Sequence, residues 1–171
     1  LLEKILTLLR KLTSAEAGTL YLKSKDGNKL DFKVVQNDPL NINIGGTKKN
    51  LDWESLPFIL EDGSVNNQMV AIVCANGEKI INIKDVYNTT KYIFKGTKEF
   101  DKTTGYRSKS MLVIPLINHE NEVIGILQLI NKLENHSIVD FNKSDEKIIK
   151  SLASQAAMSL TNTQLILSLE E

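Results

Sequence analysis

An α+β domain is what this sequence predicts, and three observations predict it. Apolar runs rich in β-branched residues recur at 18–22, 29–35, 79–83, 110–117 and 122–130, at strand length. Helical periodicity brackets them, leucine-rich over 1–12 and apolar at spacings of four and three from 144 onward. One further helical stretch, carrying Met69, Val70, Val73 and Cys74, falls between the two groups of strands.

Taken in order, Leu1, Leu2, Ile5, Leu6, Leu8, Leu9 and Leu12 make an opening helix over 1–14 that is apolar almost all round. A surface helix needs only one stripe, so this one asks for the sheet and a second partner. Gly18–Leu22 reads as a strand, and Asp26-Gly27 turns it into a hairpin with Lys29–Val35. From Gln36 to Asn67 the patterning fades, apart from a short strand around Ile42–Ile44; an irregular stretch of this length points to function or motion. Within it Gly45-Gly46 reads as a turn and Lys48-Lys49 as solvated. Asn66 or Asn67 can cap the middle helix, and Gly77 suits its left-handed C-terminal cap. Lys79–Ile83 is a short strand, and Asp85–Gly105 is again irregular, with Tyr87, Tyr92, Phe94 and Phe100 in it. Ser110–Ile117 and Glu122–Ile130 are strands joined by a turn at Asn118–Asn121. The second is nearly continuous in apolar residues, as a strand covered on both faces must be, and Gln128 alone interrupts it. Asn131-Lys132 closes it, and a polar loop runs to Phe141. Asn142 or Ser144 then caps the last helix, whose first turn carries Asp145 and Glu146, where the helix dipole favours negative charge. Ile149, Ala153, Ala156, Leu160, Thr163 and Leu167 form its main apolar row, with Ile148, Leu152, Ser159 and Ile166 beside it.

A chain of 171 residues is one domain and buries one core without staples. Its 21 basic and 21 acidic residues create no basic field for nucleic acid. Cys74 is alone, which excludes a disulfide framework and a cysteine-rich metal site. His119 and His136 lie in turn-like polar segments and form no spaced metal set, so no catalytic or metal-binding residue is assigned and the domain is not read as an enzyme. No apolar run approaches membrane-spanning length, and no direct membrane contact is expected. The chain runs from Leu1 to Glu171, and the expectation is a piece of a larger protein, the domain itself being cytoplasmic.

Asn131-Lys132, a variable loop, then Phe141-x-x-x-Asp145-Glu146 resembles the signature of GAF domains in cyclic-nucleotide phosphodiesterases and adenylyl cyclases. Thr104-Gly105-Tyr106-Arg107-Ser108-Lys109-Ser110-Met111-Leu112 is similar to that family's "TGYR-S-R-S-M-L" segment. Ile81-Asn82-Ile83-Lys84-Asp85-Val86-Tyr87 is similar to its "N-I-P-D-A-Y", with Lys84 in place of the proline. The resemblance covers roughly the whole chain. It implies a six-stranded antiparallel sheet with the N- and C-terminal helices on one face and a ligand pocket with short helices and loops on the other. It further implies a regulatory sensor from a larger, bacterial signalling protein, with a cyclic nucleotide as the leading ligand class. The helices 1–14 and 144–171 would join two copies as a homodimer and lead to an output domain in the same parent chain. The alternative is a ligand-free module that serves as a dimerisation scaffold.

The family's glutamate, threonine and aromatic ligand contacts carry over to Gln128, Thr104, Ser108 and Phe94, with Met69 and Val70 at an apolar helix start. Gln128 stands in place of an acid and Ser108 in place of a threonine. The family's Phe-Asp base-contact pair falls on Val35-Gln36, which do not match it, so guanine recognition is not implied. Gln128 has two readings, a hydrogen bond to nearby backbone or a contact to a ligand, and Met69 and Val70 are equally readable as core. Backbone donors at the start of the Met69 helix can receive a phosphate. Lys132 and Asp145 are expected to pair as a fold-stabilising bridge rather than to touch a ligand. Family members that bind bilin place a cysteine beside a histidine, and reductases of this fold need several cysteines; Cys74 meets neither requirement.

Overall fold

The computed structural model describes residues 1–45 and 53–170, with backbone alone for 163–170. Gly46, Lys48 and Lys49, and the side chains of Thr163, Ile166 and Leu167, lie outside the described residues. The elements are α1 (Leu2–Thr13), β1 (Ala15–Lys23), β2 (Lys29–Asn37), β3 (Ile42–Gly45), β4 (Leu56–Pro57), α2 (Val70–Gly77), β5 (Ile81–Ile83), α3 (Lys95–Thr104), β6 (Met111–Ile117), β7 (Val123–Glu134), β8 (Ser137–Val139) and α4 (Lys143–Glu170). Six strands follow the order β3-β2-β1-β7-β6-β5, every pair antiparallel, and the short β4 and β8 add to β2 and β7. The six-stranded sheet expected from the resemblance is therefore present, with two short additions.

The sheet divides the core in two because alternate residues of a strand face opposite sides. Leu20, Leu127 and Ile114 stand in register across β1, β7 and β6 and belong to one apolar cluster. Leu6 and Leu9 of α1 and Ile149, Ala153, Ala157 and Leu160 of α4 complete that cluster, so both terminal helices share one face. One residue along, Thr19, Gln128 and Val113 form the neighbouring row, and Val113 packs in the second cluster with α2 on the opposite face. Gly18 lets α1 lie close, since a Cβ there would stand 2.9 Å from Leu6 Cδ1 and 3.1 Å from the Gln128 carbonyl oxygen. Arg10 then fastens α1 to the end of β2: its guanidinium donates to Gln36 Oε1 at 2.7 Å and pairs with Asp38 at 2.6 Å. Leu2 and Ile5 pack against the same core while Leu1, Leu8 and Leu12 stay exposed, spaced seven and four apart on one stripe.

Four expectations need correction. β7 does not close at Asn131-Lys132 but runs on to Glu134. Asn135 and His136, both left-handed (φ 52° and 67°), make a two-residue turn into β8. Two successive positive φ values match the right-handed twist of a hairpin. The Asp85–Gly105 stretch is not wholly irregular, because α3 occupies its second half. That helix escapes periodicity because only Asp101 is buried on it, and Gly96, Thr97, Thr103 and Thr104 are weak helix formers. Neither Asn66 nor Asn67 caps α2: Met69 holds the N-cap position without a side-chain bond, and the Asn66 side-chain oxygen accepts from the Gln68 N–H instead. Gly77 is the last helical residue, and Glu78 (φ 54°) takes the left-handed position, its N–H reaching the Cys74 carbonyl at 2.9 Å.

Cys74 is buried, and burial pushes its thiol up to about 12. His119 and His136 are exposed. Among the described residues no helix is long and apolar enough to cross a membrane, and no group of His, Cys, Asp or Glu could hold a metal ion.

Candidate functional site

A half-enclosed cavity of ≈ 470 Å³ opens on the sheet face opposite α1 and α4. Strands β1, β2 and β7 supply its floor, α2 and α3 both begin at its edge, and Trp53 lines it from the β2 side. Gln128, Thr104, Ser108, Phe94, Met69 and Val70 all line this one cavity.

Their states differ. Thr104 is exposed, and its hydroxyl donates to the Phe100 carbonyl at 2.7 Å and accepts the Tyr106 N–H at 3.2 Å. Ser108 is buried, and its hydroxyl donates to Asp101 at 2.9 Å. Both hydroxyls are thus committed to shaping the wall. Phe94 is 1% exposed and starts α3, its ring edge-on to Tyr92. Met69 and Val70 start α2, and a Cβ on Gly96 would come within 2.8 Å of Met69 Sδ, so the first turns of α2 and α3 touch.

Gln128 is the exception. It is 6% exposed, and its amide makes no hydrogen bond to any described residue. Every fully enclosed side-chain polar atom among the described residues has a partner, so the Gln128 amide is open to the cavity rather than sealed in protein.

Other lining residues were not found by sequence reasoning. Thr19 faces Gln128 directly across β1 and β7, is 6% exposed, and its hydroxyl likewise has no partner among the described residues. Asn37 lies further along the floor; its side-chain oxygen accepts the Leu40 N–H at 3.1 Å, and its NH₂ group has no partner among the described residues. A polar residue inside each of two apolar strands was the available signal, but strand pairing is what joins them. Aromatic rings form a continuous wall, Tyr21–Phe32 at 4.7 Å, Phe32–Trp53 at 5.2 Å and Trp53–Phe100 at 5.9 Å between centroids, and Tyr106 backs Phe100 at 6.5 Å from outside the lining.

Among the described residues the lining contains no Lys, Arg or His, and Glu99 is its one carboxylate. Backbone donors add positive potential. The first N–H groups of a helix lack intrahelical acceptors, and two helices begin side by side here.

The linked sequence motifs hold this cavity from behind. Asn131 is fully buried and left-handed (φ 59°). Its amide donates to Tyr106 Oη at 2.8 Å and the Arg107 carbonyl at 2.9 Å, and accepts the Lys109 N–H at 2.7 Å. Burial, then the Glu16 carboxylate that Tyr106 Oη donates to at 2.5 Å, push the Tyr106 phenol well above its ordinary value. Lys132 Nζ lies 3.0 Å from Asp145 and 3.0 Å from the Thr13 carbonyl, so β7, α1 and α4 meet at one ammonium. Asn142 and Asp145 exchange hydrogen bonds of 2.8 Å each, a capping box at the start of α4. Phe141 is buried in the helix-side core, and Glu146 accepts from Asn82 of β5 at 3.2 Å. On α3, Asp101 accepts from Tyr87 Oη at 2.7 Å and from the Ser108 N–H at 3.0 Å, which ties the helix to both flanking segments.

The chain's terminal helices cover one face of the sheet and a ligand-sized cavity opens on the other. The family model of the GAF domain matches residues 1–160, and the chain belongs to the GAF domain family. It is 29% identical over 166 residues to the dual 3',5'-cyclic-AMP and -GMP phosphodiesterase 11A of Takifugu rubripes, a match covering 95% of this chain and 16% of that protein. It is 28% identical over 170 residues to a cGMP-specific 3',5'-cyclic phosphodiesterase of Drosophila melanogaster, covering 96% of this chain and 14% of that one. The chain thus spans about a sixth or less of the length of these relatives. Among solved structures, the GAF domain of a phosphoenolpyruvate-protein phosphotransferase from Coxiella burnetii superposes with a TM-score of 0.68 at 16% identity, over 98% of this chain and 84% of that one.

Proposed function

We propose that the cavity is the ligand site of a regulatory, non-catalytic sensor domain within a longer signalling protein, and that its ligand is a cyclic nucleotide. One observation carries this: an apolar, ring-lined cavity whose unspent polar groups lie at the floor, at Gln128 and Thr19, and whose positive poles are two adjacent helix starts. A ring at the floor and a phosphate at the peptide N–H groups match that distribution. The volume lies in the range of small-molecule sites. The names of the phosphodiesterase relatives support the ligand class.

Calorimetric titration with cyclic AMP and cyclic GMP tests it. Binding of at least one is expected, weakened about tenfold by Gln128→Ala, the loss of a hydrogen-bonding ligand contact. Trp53, the single tryptophan of the chain, gives a parallel optical readout from the cavity wall. Absence of heat with both nucleotides at millimolar concentration leaves the ligand-free scaffold reading in its place.

Transmission would run as a population shift: ligand favours the state with α3 drawn over the cavity, and the terminal helices carry the bias to an output domain. The exposed stripe of Leu1, Leu8 and Leu12 on α1 supports a homodimer through these helices. Light scattering at tens of micromolar should report a dimer that Leu8→Glu dissociates. A monomeric wild type would remove the dimer and leave the ligand site standing.

A further inference from the structure

Resting on the ligand reading of the cavity, we propose that its floor does not discriminate between adenine- and guanine-bearing nucleotides, and that Gln128 with Thr19 is the reason. The two side chains stand opposite each other in register on β7 and β1, both 6% exposed, both lining the cavity, and neither bonded to a described residue. Each can present either sign of hydrogen bond. An amide carries a carbonyl acceptor beside an NH₂ donor, and a hydroxyl rotates between the two roles.

What fixes the polarity of an amide is its protein neighbours, and the same fold contains the opposite case. Asn131 gives to Tyr106 and Arg107 and receives from Lys109, so its oxygen and nitrogen cannot trade places. No described residue restrains Gln128 in this way. One orientation offers an acceptor to an amino group and a donor to a ring nitrogen, the adenine edge. The reverse offers a donor to a carbonyl and an acceptor to a ring N–H, the guanine edge. A carboxylate would break the symmetry toward guanine, whose adjacent ring N–H and amino group are both donors. Among the described residues, the carboxylates near this floor do not do so: Asp101 is committed to Tyr87 and Ser108, and Glu16 to Tyr106. The exposed Glu99 belongs to α3, not to the floor strands. The class of ligand is therefore a flat heterocycle that presents one donor beside one acceptor, in either order.

The test compares cyclic AMP and cyclic GMP on the wild type, Gln128→Glu and Gln128→Met, by calorimetry, with thermal melting to verify that each variant folds. Wild-type dissociation constants within tenfold of each other are expected. Gln128→Glu should prefer cyclic GMP by more than tenfold, since one correct bidentate contact discriminates by roughly one to two orders of magnitude. Gln128→Met, similar in shape without the amide, should weaken both nucleotides alike. A wild-type preference above tenfold, or a Gln128→Glu ratio equal to the wild type's, overturns the proposal while leaving the cavity a nucleotide site. If the wild type binds neither nucleotide, the cyclic-nucleotide reading fails, and this proposal fails with it.

Discussion

Lys132→Ala is expected to destabilise the domain by about 3–5 kcal/mol, the cost of removing one member of a buried pair. The two side chains are 14% and 6% exposed, so solvent does not take over the lost contact. Asp145 keeps the Asn142 N–H at 2.8 Å but loses its counter-charge, and the Thr13 carbonyl at the end of α1 loses its donor. Urea unfolding of the two proteins measures it. A difference below about 1 kcal/mol would place the pair with solvent-exposed bridges, and the clamp between α1, β7 and α4 would have to be sought elsewhere.

Asn131→Ala is expected to cost about as much, through a different mechanism. Three partners from the 106–109 segment lose their bonds at once, in a residue position with no exposure. Each buried group left unsatisfied costs roughly 1–3 kcal/mol. Alanine also inherits a left-handed backbone (φ 59°), which adds about 1 kcal/mol. Asn131→Gly separates the two contributions, because glycine accepts that conformation. It should recover about 1 kcal/mol relative to alanine and no more. Recovery to wild-type stability in denaturant melts would mean that strain, not the hydrogen bonds, dominates.

Much of this architecture could be read from residues whose neighbours in sequence are also their neighbours in space. The Asp26-Gly27 hairpin, the strands 110–117 and 122–130, and the start of α4 at Asn142 are of that kind. The pairing of Lys132 with Asp145 followed from a motif, and the buried geometry is what raises its weight. Elements held by single polar anchors were hidden. α3 buries one residue, Asp101, whose partners Tyr87 and Ser108 lie 14 and 7 positions away, so no periodicity announces it. The cavity residues split the same way. Gln128 stood out as the lone amide of an apolar strand. Thr19 looked ordinary in a strand of high β-propensity until the β1–β7 register set it opposite Gln128. Trp53 sits beyond any regular element and acquires its place only from Phe32 and Phe100, on β2 and α3.

The last residues of β2 have a mechanical consequence. Val35, Gln36 and Asn37 border the cavity, and Gln36, with Asp38 just beyond the strand, also holds the Arg10 guanidinium of α1. A peptide strand has no slack between adjacent residues, at 3.8 Å from one Cα to the next. A displacement of β2 at the cavity therefore also moves the residues that anchor α1. The cavity wall and the anchor of the N-terminal helix are thus neighbouring residues at one strand end.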